Sequence, residues 1–301
     1  MIKKSEILQT KIIVGLMRIK NLTYLQAEEL VLGSLQLGLN FFDLADIYGG
    51  GKCEEMLGEI LSQHQKLREK VIIQSKCGIK KGSYDFSYEH IIQSVNASLK
   101  RLKTTYLDVL LLHRPDCLMI PSEVNRAFKE LKRQKKVRFF GVSNHNPLQI
   151  DLLKTKVKLP LLFNQLQFSV AFTLLVDSGL NVNNNNEMAI SKDGHIYEYC
   201  RIHRIIMQAW SPFQYGFFAG VYLDSPKYPQ LNETLNKIAD KYQVDKITIA
   251  SAFILRLPDK MQIVTGTTKL SRLSSIAKAQ DIVLSHDEWY EIYSSVPNNL
   301  P

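Results

Sequence analysis

Three ionisable residues each close an apolar run in this 301-residue chain. Asp43 follows Asn40-Phe41-Phe42, Lys76 follows Val71-Ile72-Ile73-Gln74-Ser75, and His113 follows Val109-Leu110-Leu111-Leu112. Burying such groups is costly unless they are paired. Tyr48 lies just beyond the first of these runs. Each residue alone has an ordinary structural explanation, but together they fit one chemistry. A phenol is a poor acid at neutral pH unless a nearby cation favours its anion, and a buried lysine supplies that cation. The Asp43 carboxylate would keep Lys76 charged and in place, and a neutral His113 would orient a carbonyl by a hydrogen bond.

Such residues need a scaffold that brings strand ends to one opening. Short apolar runs alternate with stretches of helical period, which reads as βα units around a parallel sheet. Eight candidate strands cover 12–15, 40–43, 71–76, 109–113, 137–142, 162–165, 204–210 and 262–265. Eight such units close a (β/α)8 TIM barrel, expected here as a single domain over residues 1–301. Val124, Ala127, Phe128 and Leu131 form one apolar helical stripe. Others run through Ile91, Val95, Leu99 and Leu102, and through Leu231, Leu235, Ile238, Ala239 and Tyr242. Ser87 and Ser122 stand where N-caps belong. The asparagine-rich stretch 181–186 reads as a surface loop between strand six and its helix. Long connections at 114–121 and 211–229, with the C-terminal tail, are the expected pocket walls.

The motifs that carry this chemistry resemble those of the aldo-keto reductase family, above all its bacterial branch. Phe42-Asp43-Leu44-Ala45-Asp46-Ile47-Tyr48-Gly49, Ser75-Lys76-Cys77-Gly78 and Leu112-His113-Arg114-Pro115-Asp116 are similar to its signatures, and the likeness runs over about residues 14–289. The resemblance implies Tyr48 as proton donor, supported by Asp43, Lys76 and His113. It implies that Ser143, Asn144 and Gln165 hold a nicotinamide carboxamide, that Trp210 stacks on the ring, and that Ser211 meets the pyrophosphate. It further implies that Gly266, Thr267, Thr268, Lys269 and Arg272 hold the adenosine 2′-phosphate. An arginine fork suits a phosphate dianion, so NADPH/NADP+ is the expected cofactor. Two positions depart from the family pattern. Ile276 stands where an adenine-binding Asn or Glu is usual, and Gly266 where a cofactor lysine is usual, which shifts phosphate binding toward backbone amides, Lys269 and Arg272. The stretch 213–220 is more aromatic than the family pattern leads one to expect, so the resemblance carries over no substrate preference.

The implied activity is NADPH-dependent reduction of an aldehyde or ketone to an alcohol. The alternative is a nicotinamide-binding regulatory or redox-sensing subunit with little turnover. A phosphate-binding barrel isomerase or lyase rests on fold analogy alone. The expected partner is a small-molecule carbonyl substrate, and oligomeric state leaves no signature in the sequence. The net charge is +9, and the densest basic run, Lys132-Arg133-Gln134-Lys135-Lys136-Val137-Arg138, sits where an amphipathic helix ends and cations suit its dipole, so nucleic acid is not expected. Gly49-Gly50-Gly51 lacks phosphate-loop context and reads as a turn. Hydrolase elbows and metal-ligand spacings are missing, so no metal is expected. No run approaches the length of a membrane span, and residues 1–7 lack the apolar core of a signal peptide. The expected location is cytoplasmic, with Cys53, Cys77, Cys117 and Cys200 reduced.

Overall fold

A computed structural model of the chain describes residues 3–296 apart from Phe217 and Asp259. Phe217, part of the aromatic stretch noted above, and the tail after 296 lie outside the described residues. The eight barrel strands are β1 Ile12–Gly15, β2 Phe41–Asp43, β3 Ile72–Cys77, β4 Leu107–Leu112, β5 Val137–Ser143, β6 Leu161–Gln167, β7 Ile206–Trp210 and β8 Met261–Thr265. They form a closed barrel in chain order, every pair parallel, with β1 joined to β8 through Ile12↔Ile263, Ile13↔Val264 and Val14↔Thr265. All eight expected strands are present, with ends that differ by a few residues. Strand seven starts later than expected because Arg204 takes a left-handed φ of 54°, which ends the preceding turn.

Strand parity decides what faces where. Ile13, Phe41, Ile72, Val109, Leu111, Phe163, Ile206 and Val264 pack together inside the barrel, while Ile12, Val14, Phe42, Ile73, Leu110 and Leu112 pack outward under the helices. Asp43, Gln74, Lys76 and His113 share the inward parity of Phe41, Ile72 and Val109. The inner cluster also takes in Ile7 from a short helix, Lys4–Gln9, that precedes β1 and has no counterpart in the sequence reading.

The outer layer departs from expectation in several places. Ser87 caps Tyr88–Arg101 by accepting from His90 N. Ser122 is not a cap: Ile120 holds that position and Pro121 opens the helix Pro121–Arg133, since proline's fixed φ suits the first helical residue. Two helices rather than one, Pro229–Tyr242 and Lys246–Leu255, join β7 to β8. The second is buried almost all round, so it shows no stripe to read. The 181–186 stretch lies between the short helices Leu174–Leu180 and Ile196–Ile202. Its first residue is not at the surface: Asn181 is buried, its Nδ2 donating to Asp177 O at 2.9 Å. The four cysteines are free, Cys117 alone exposed. No helix of the described residues is long and apolar enough to cross a membrane.

Candidate active site

The C-terminal ends of the barrel strands open into a cavity of about 1400 Å³, lined by Asp43, Tyr48, His113, Ser143, Asn144, Gln165, Trp210, Ser211, Gly266, Thr267 and Arg272. In (β/α)8 barrels this face carries the chemistry. Lys76 sits directly behind it, its side chain 0% exposed against 4% for Asp43. The ammonium donates to Asp43 Oδ1 at 2.8 Å and Oδ2 at 2.7 Å, to Leu44 O at 2.8 Å, and to Tyr48 OH at 3.2 Å. An ammonium has three protons for these four acceptors, so one is shared between the two oxygens of Asp43 if Leu44 O and the phenol each receive their own. The Tyr48 and His113 rings meet edge to face at 5.8 Å.

Tyr48 is placed by the turn that follows it. Gly49, Gly50 and Gly51 take successive φ values of 62°, 65° and 95°, a left-handed run that side chains rarely adopt, and the helix Lys52–Gln63 starts from it. Beneath the turn, Glu54 is fully buried, accepting from Ser75 Oγ at 2.6 Å and Arg101 Nε at 2.8 Å.

The electrostatics refine the sequence reading. Burial pushes the Tyr48 hydroxyl above the ordinary phenol value, and the Lys76 charge pulls the other way without cancelling it. Lys76 therefore limits the rise instead of producing a net fall, and Tyr48 keeps its proton at neutral pH. Burial disfavours the charge on Lys76, yet the Asp43 carboxylate and Tyr48 more than offset this and raise its pKa. Burial, then the charges of Lys76 and Arg114, hold His113 well below the usual imidazole value. It is neutral, and its Nδ1 is buried without a partner.

Asp46 is the outlier on the loop carrying Tyr48. Burial first, then the nearby Glu54 carboxylate, push it up to about 6, against the help of Ser94 and Arg101. Its Oδ1 has no hydrogen-bond partner. A carboxyl with a raised folded-state pKa binds more protons folded than unfolded between its two values, so stability falls as pH rises from about 4 to about 6. Asp46→Asn is expected to stabilise the fold at pH 7 by about 2 kcal/mol after allowance for partial exposure, and by much less below pH 4. Thermal unfolding of both proteins at the two pH values checks this.

The opposite wall is tied to the strands by its own polar atoms. Asn144, left-handed at φ 57°, receives Trp210 Nε1 on Oδ1 at 3.2 Å, while its Nδ2 donates to Ser143 Oγ at 2.8 Å. Ser143 Oγ and Asn144 N both donate to Gln165 O at 2.9 Å. Gln165 Nε2 donates to Asp43 Oδ1 at 3.1 Å, so the two halves of the site touch. Thr268 and Lys269 are not on the cavity wall; Lys269 is exposed and precedes the helix Leu270–Lys278 as its N-cap. Ile276, the departure noted in the sequence, is buried in the core, and Ser271 and Ser275 face the cavity instead.

Several lining residues escaped the sequence reading. Met17, Arg18, Lys20 and Asn21 come from the loop after β1, and Asp224, Asn236, Asp245 and Lys246 from beyond β7. Lys246 pairs with Asp224, joining the long 211–229 connection to the start of a helix. The loop residues among them carry no periodicity, Asn236 sits on a helix whose apolar stripe marks only the core face, and Lys246 opens a helix that shows no stripe, so no sequence signal marked them.

The cavity wall offers groups that suit a nicotinamide dinucleotide. Trp210 and the Ser143–Asn144 pair line it from the ends of β7 and β5, and Arg272 lines it from the helix after β8. A side chain added at Gly266 would meet open space, and Thr265 Oγ1 on the wall is buried with no partner. These residues fit the group.

Residues 11–296 match the model of the Aldo/keto reductase family. The chain is 32% identical over 302 residues to an uncharacterized oxidoreductase, YcsN, of Bacillus subtilis, covering 95% of this chain and 94% of the relative. It is 33% identical over 270 residues to a 6-dehydroglucose reductase of Agrobacterium fabrum, covering 86% and 84%. The crystal structure of a thermostable aldo-keto reductase superposes with a TM-score of 0.75 at 23% identity, over 94% of each chain, which bears on the fold. This chain belongs to the aldo/keto reductase family, and it is an oxidoreductase whose reaction class is carbonyl reduction.

Proposed function

We propose that this protein reduces an aldehyde or ketone to an alcohol with NADPH as hydride source and Tyr48 as proton donor. The observation that carries the reading is the Tyr48 hydroxyl 3.2 Å from an ammonium that Asp43 and Leu44 O hold in place, on the wall of a cavity fitted to a dinucleotide. When bound, the cofactor supplies hydride to the carbonyl carbon. Neutral His113 holds the substrate oxygen near Tyr48. The phenol proton passes to that oxygen as negative charge develops there, and Lys76 stabilises the phenolate left behind. Asp43 keeps Lys76 charged through the cycle.

Ser143, Asn144 and Gln165 would hold the carboxamide, Trp210 the ring face, and Ser211, Gly266 and Thr267 the phosphates. Arg272 supports NADPH over NADH, because a guanidinium fork suits the extra phosphate. Lys269, exposed three residues before Arg272, adds positive charge to the same segment, and Thr268 links it to Thr267. Titration of tryptophan fluorescence tests this, since Trp210 lines the cavity and Trp289 is buried away from it with Nε1 donating to Phe253 O. Arg272→Ala is expected to weaken NADPH binding by about tenfold or more and leave NADH within about twofold. Equal losses for both cofactors would overturn the assignment, and NADPH oxidation with a panel of aldehydes and ketones reads the activity itself.

A further inference from the structure

Barrel interiors are usually filled by branched apolar side chains. Here the inward positions below the site hold four buried amides: Gln74, Gln165, Gln208 and Gln262. In strand register Gln208 stands between Gln165 and Gln262. Gln74 reaches it from β3 and the two amides exchange bonds, Gln74 Nε2 donating to Gln208 Oε1 at 2.8 Å and Gln208 Nε2 to Gln74 Oε1 at 3.1 Å. Gln208 Nε2 also donates to Gln262 Oε1 at 2.9 Å, and Gln262 Nε2 to Ile7 O at 3.0 Å. Toward the cavity, Gln74 Nε2 at 2.7 Å and Gln165 Nε2 at 3.1 Å donate to Asp43 Oδ1, the oxygen that also receives Lys76. Gln165 Nε2 donates in addition to Gln208 Oε1 at 3.1 Å.

Stability alone gives little reason for this layer, because replacing a whole buried hydrogen-bonded set by apolar groups of like shape is near neutral. What it provides is direction. Asp43 Oδ1 has its acceptor sites filled from below, which fixes the carboxylate plane and the position of the ammonium above it. The nitrogen of Gln165 is committed to Asp43 Oδ1 and Gln208 Oε1, which leaves its Oε1 for the cavity that the residue lines.

We propose that Gln74 and Gln208 are positioning residues. Gln74 aims the Asp43 carboxylate, and through it Lys76, at Tyr48. Gln208 locks both Gln74 and Gln165, so the proton-donating half and the nicotinamide-facing half of the site are set by one amide. The kinetic part rests on the carbonyl reduction proposed above; the locking of Gln165 does not.

The test takes Gln74→Met and Gln208→Met, which keep side-chain volume and remove the amide, each in the wild-type and Tyr48→Phe backgrounds. Gln262→Met, at the foot of the layer, is the control. Gln74→Met is expected to lower kcat by about tenfold with little change in KM, as removal of a supporting partner does elsewhere. In Tyr48→Phe the same change should alter kcat by less than about twofold, because the donor it aims is gone. A packing role would lower activity alike in both backgrounds, and that result would overturn the proposal. Gln262→Met should leave kcat within about twofold whatever it costs in melting temperature.

Hydrogen exchange of the side-chain amides, followed by NMR without ligand, gives the second arm. Gln165 and Gln74 amides are expected to be protected in the wild type and to lose protection in Gln208→Met; unchanged protection refutes the lock. If Gln74→Met does not fold, Gln74→Asn, which draws the amide back from Asp43, carries the same expectation. A wild type that reduces no carbonyl but shows the exchange effect would fail the functional reading and spare the lock.

Discussion

Tyr48→Phe is expected to lower kcat for carbonyl reduction by about 10²–10⁴-fold, the range lost when a positioned general acid is removed. The fold should survive, because Lys76 keeps both oxygens of Asp43 and the Leu44 carbonyl when the phenol oxygen is gone. NADPH affinity should be unchanged, since Asn144, Gln165, Trp210 and Arg272 are untouched. A large fall in kcat with constant cofactor affinity is the signature of an interaction made only in the transition state. Wild-type turnover on every substrate would remove Tyr48 from the chemistry. The pH profile sharpens the expectation. Burial keeps Tyr48 protonated above the ordinary phenol value and holds His113 neutral well below the ordinary imidazole value. Neither group should bend kcat/KM for reduction between about pH 6.5 and pH 10.

Lys76→Met should damage activity and stability together. It leaves the Asp43 carboxylate buried with two glutamine donors and no countercharge. Breaking a buried ion pair from one side costs about 3–5 kcal/mol, far more than the pair contributes against an apolar replacement. The double variant Lys76→Met with Asp43→Asn removes the stranded charge. It should recover most of the stability, by thermal or denaturant unfolding, and none of the activity, because the Tyr48 phenolate still lacks its cation. Parallel recovery of both would mean that Lys76 serves the fold alone.

Asp43, Lys76 and His113 could be read from the sequence because charge inside an apolar run is costly and therefore conspicuous. Gln74, Gln208 and Gln262 interrupt their strands in the same way, yet a neutral amide costs less to bury, and nothing in one strand tells which face it takes. Only the register that sets Gln208 beside Gln165 and Gln262 shows that the amides meet. The barrel itself was legible from alternation. The Lys4–Gln9 helix was not, because one short turn of mixed polarity gains its meaning from the barrel floor it covers. Ser122 was misread as a cap for a local reason, the proline before it. Arg18, Lys20 and Asp224 reach the cavity from connections between elements, and Lys246 from the start of a helix, by paths that tertiary packing decides.

The pairing of β1 with β8 also bears on how the protein is made. As the chain leaves the ribosome, β1 to β7 can stack in order, but the sheet keeps two open parallel edges until Met261–Thr265 emerges. Such edges invite pairing with other chains. Gly266, Thr267 and Arg272, proposed above to meet the cofactor's phosphates, follow that same strand, so this part of the cavity wall forms only as the edges close. The proposed cofactor site is therefore incomplete while both edges stay open, and binding of cofactor can add to stability only after β8 has closed the sheet.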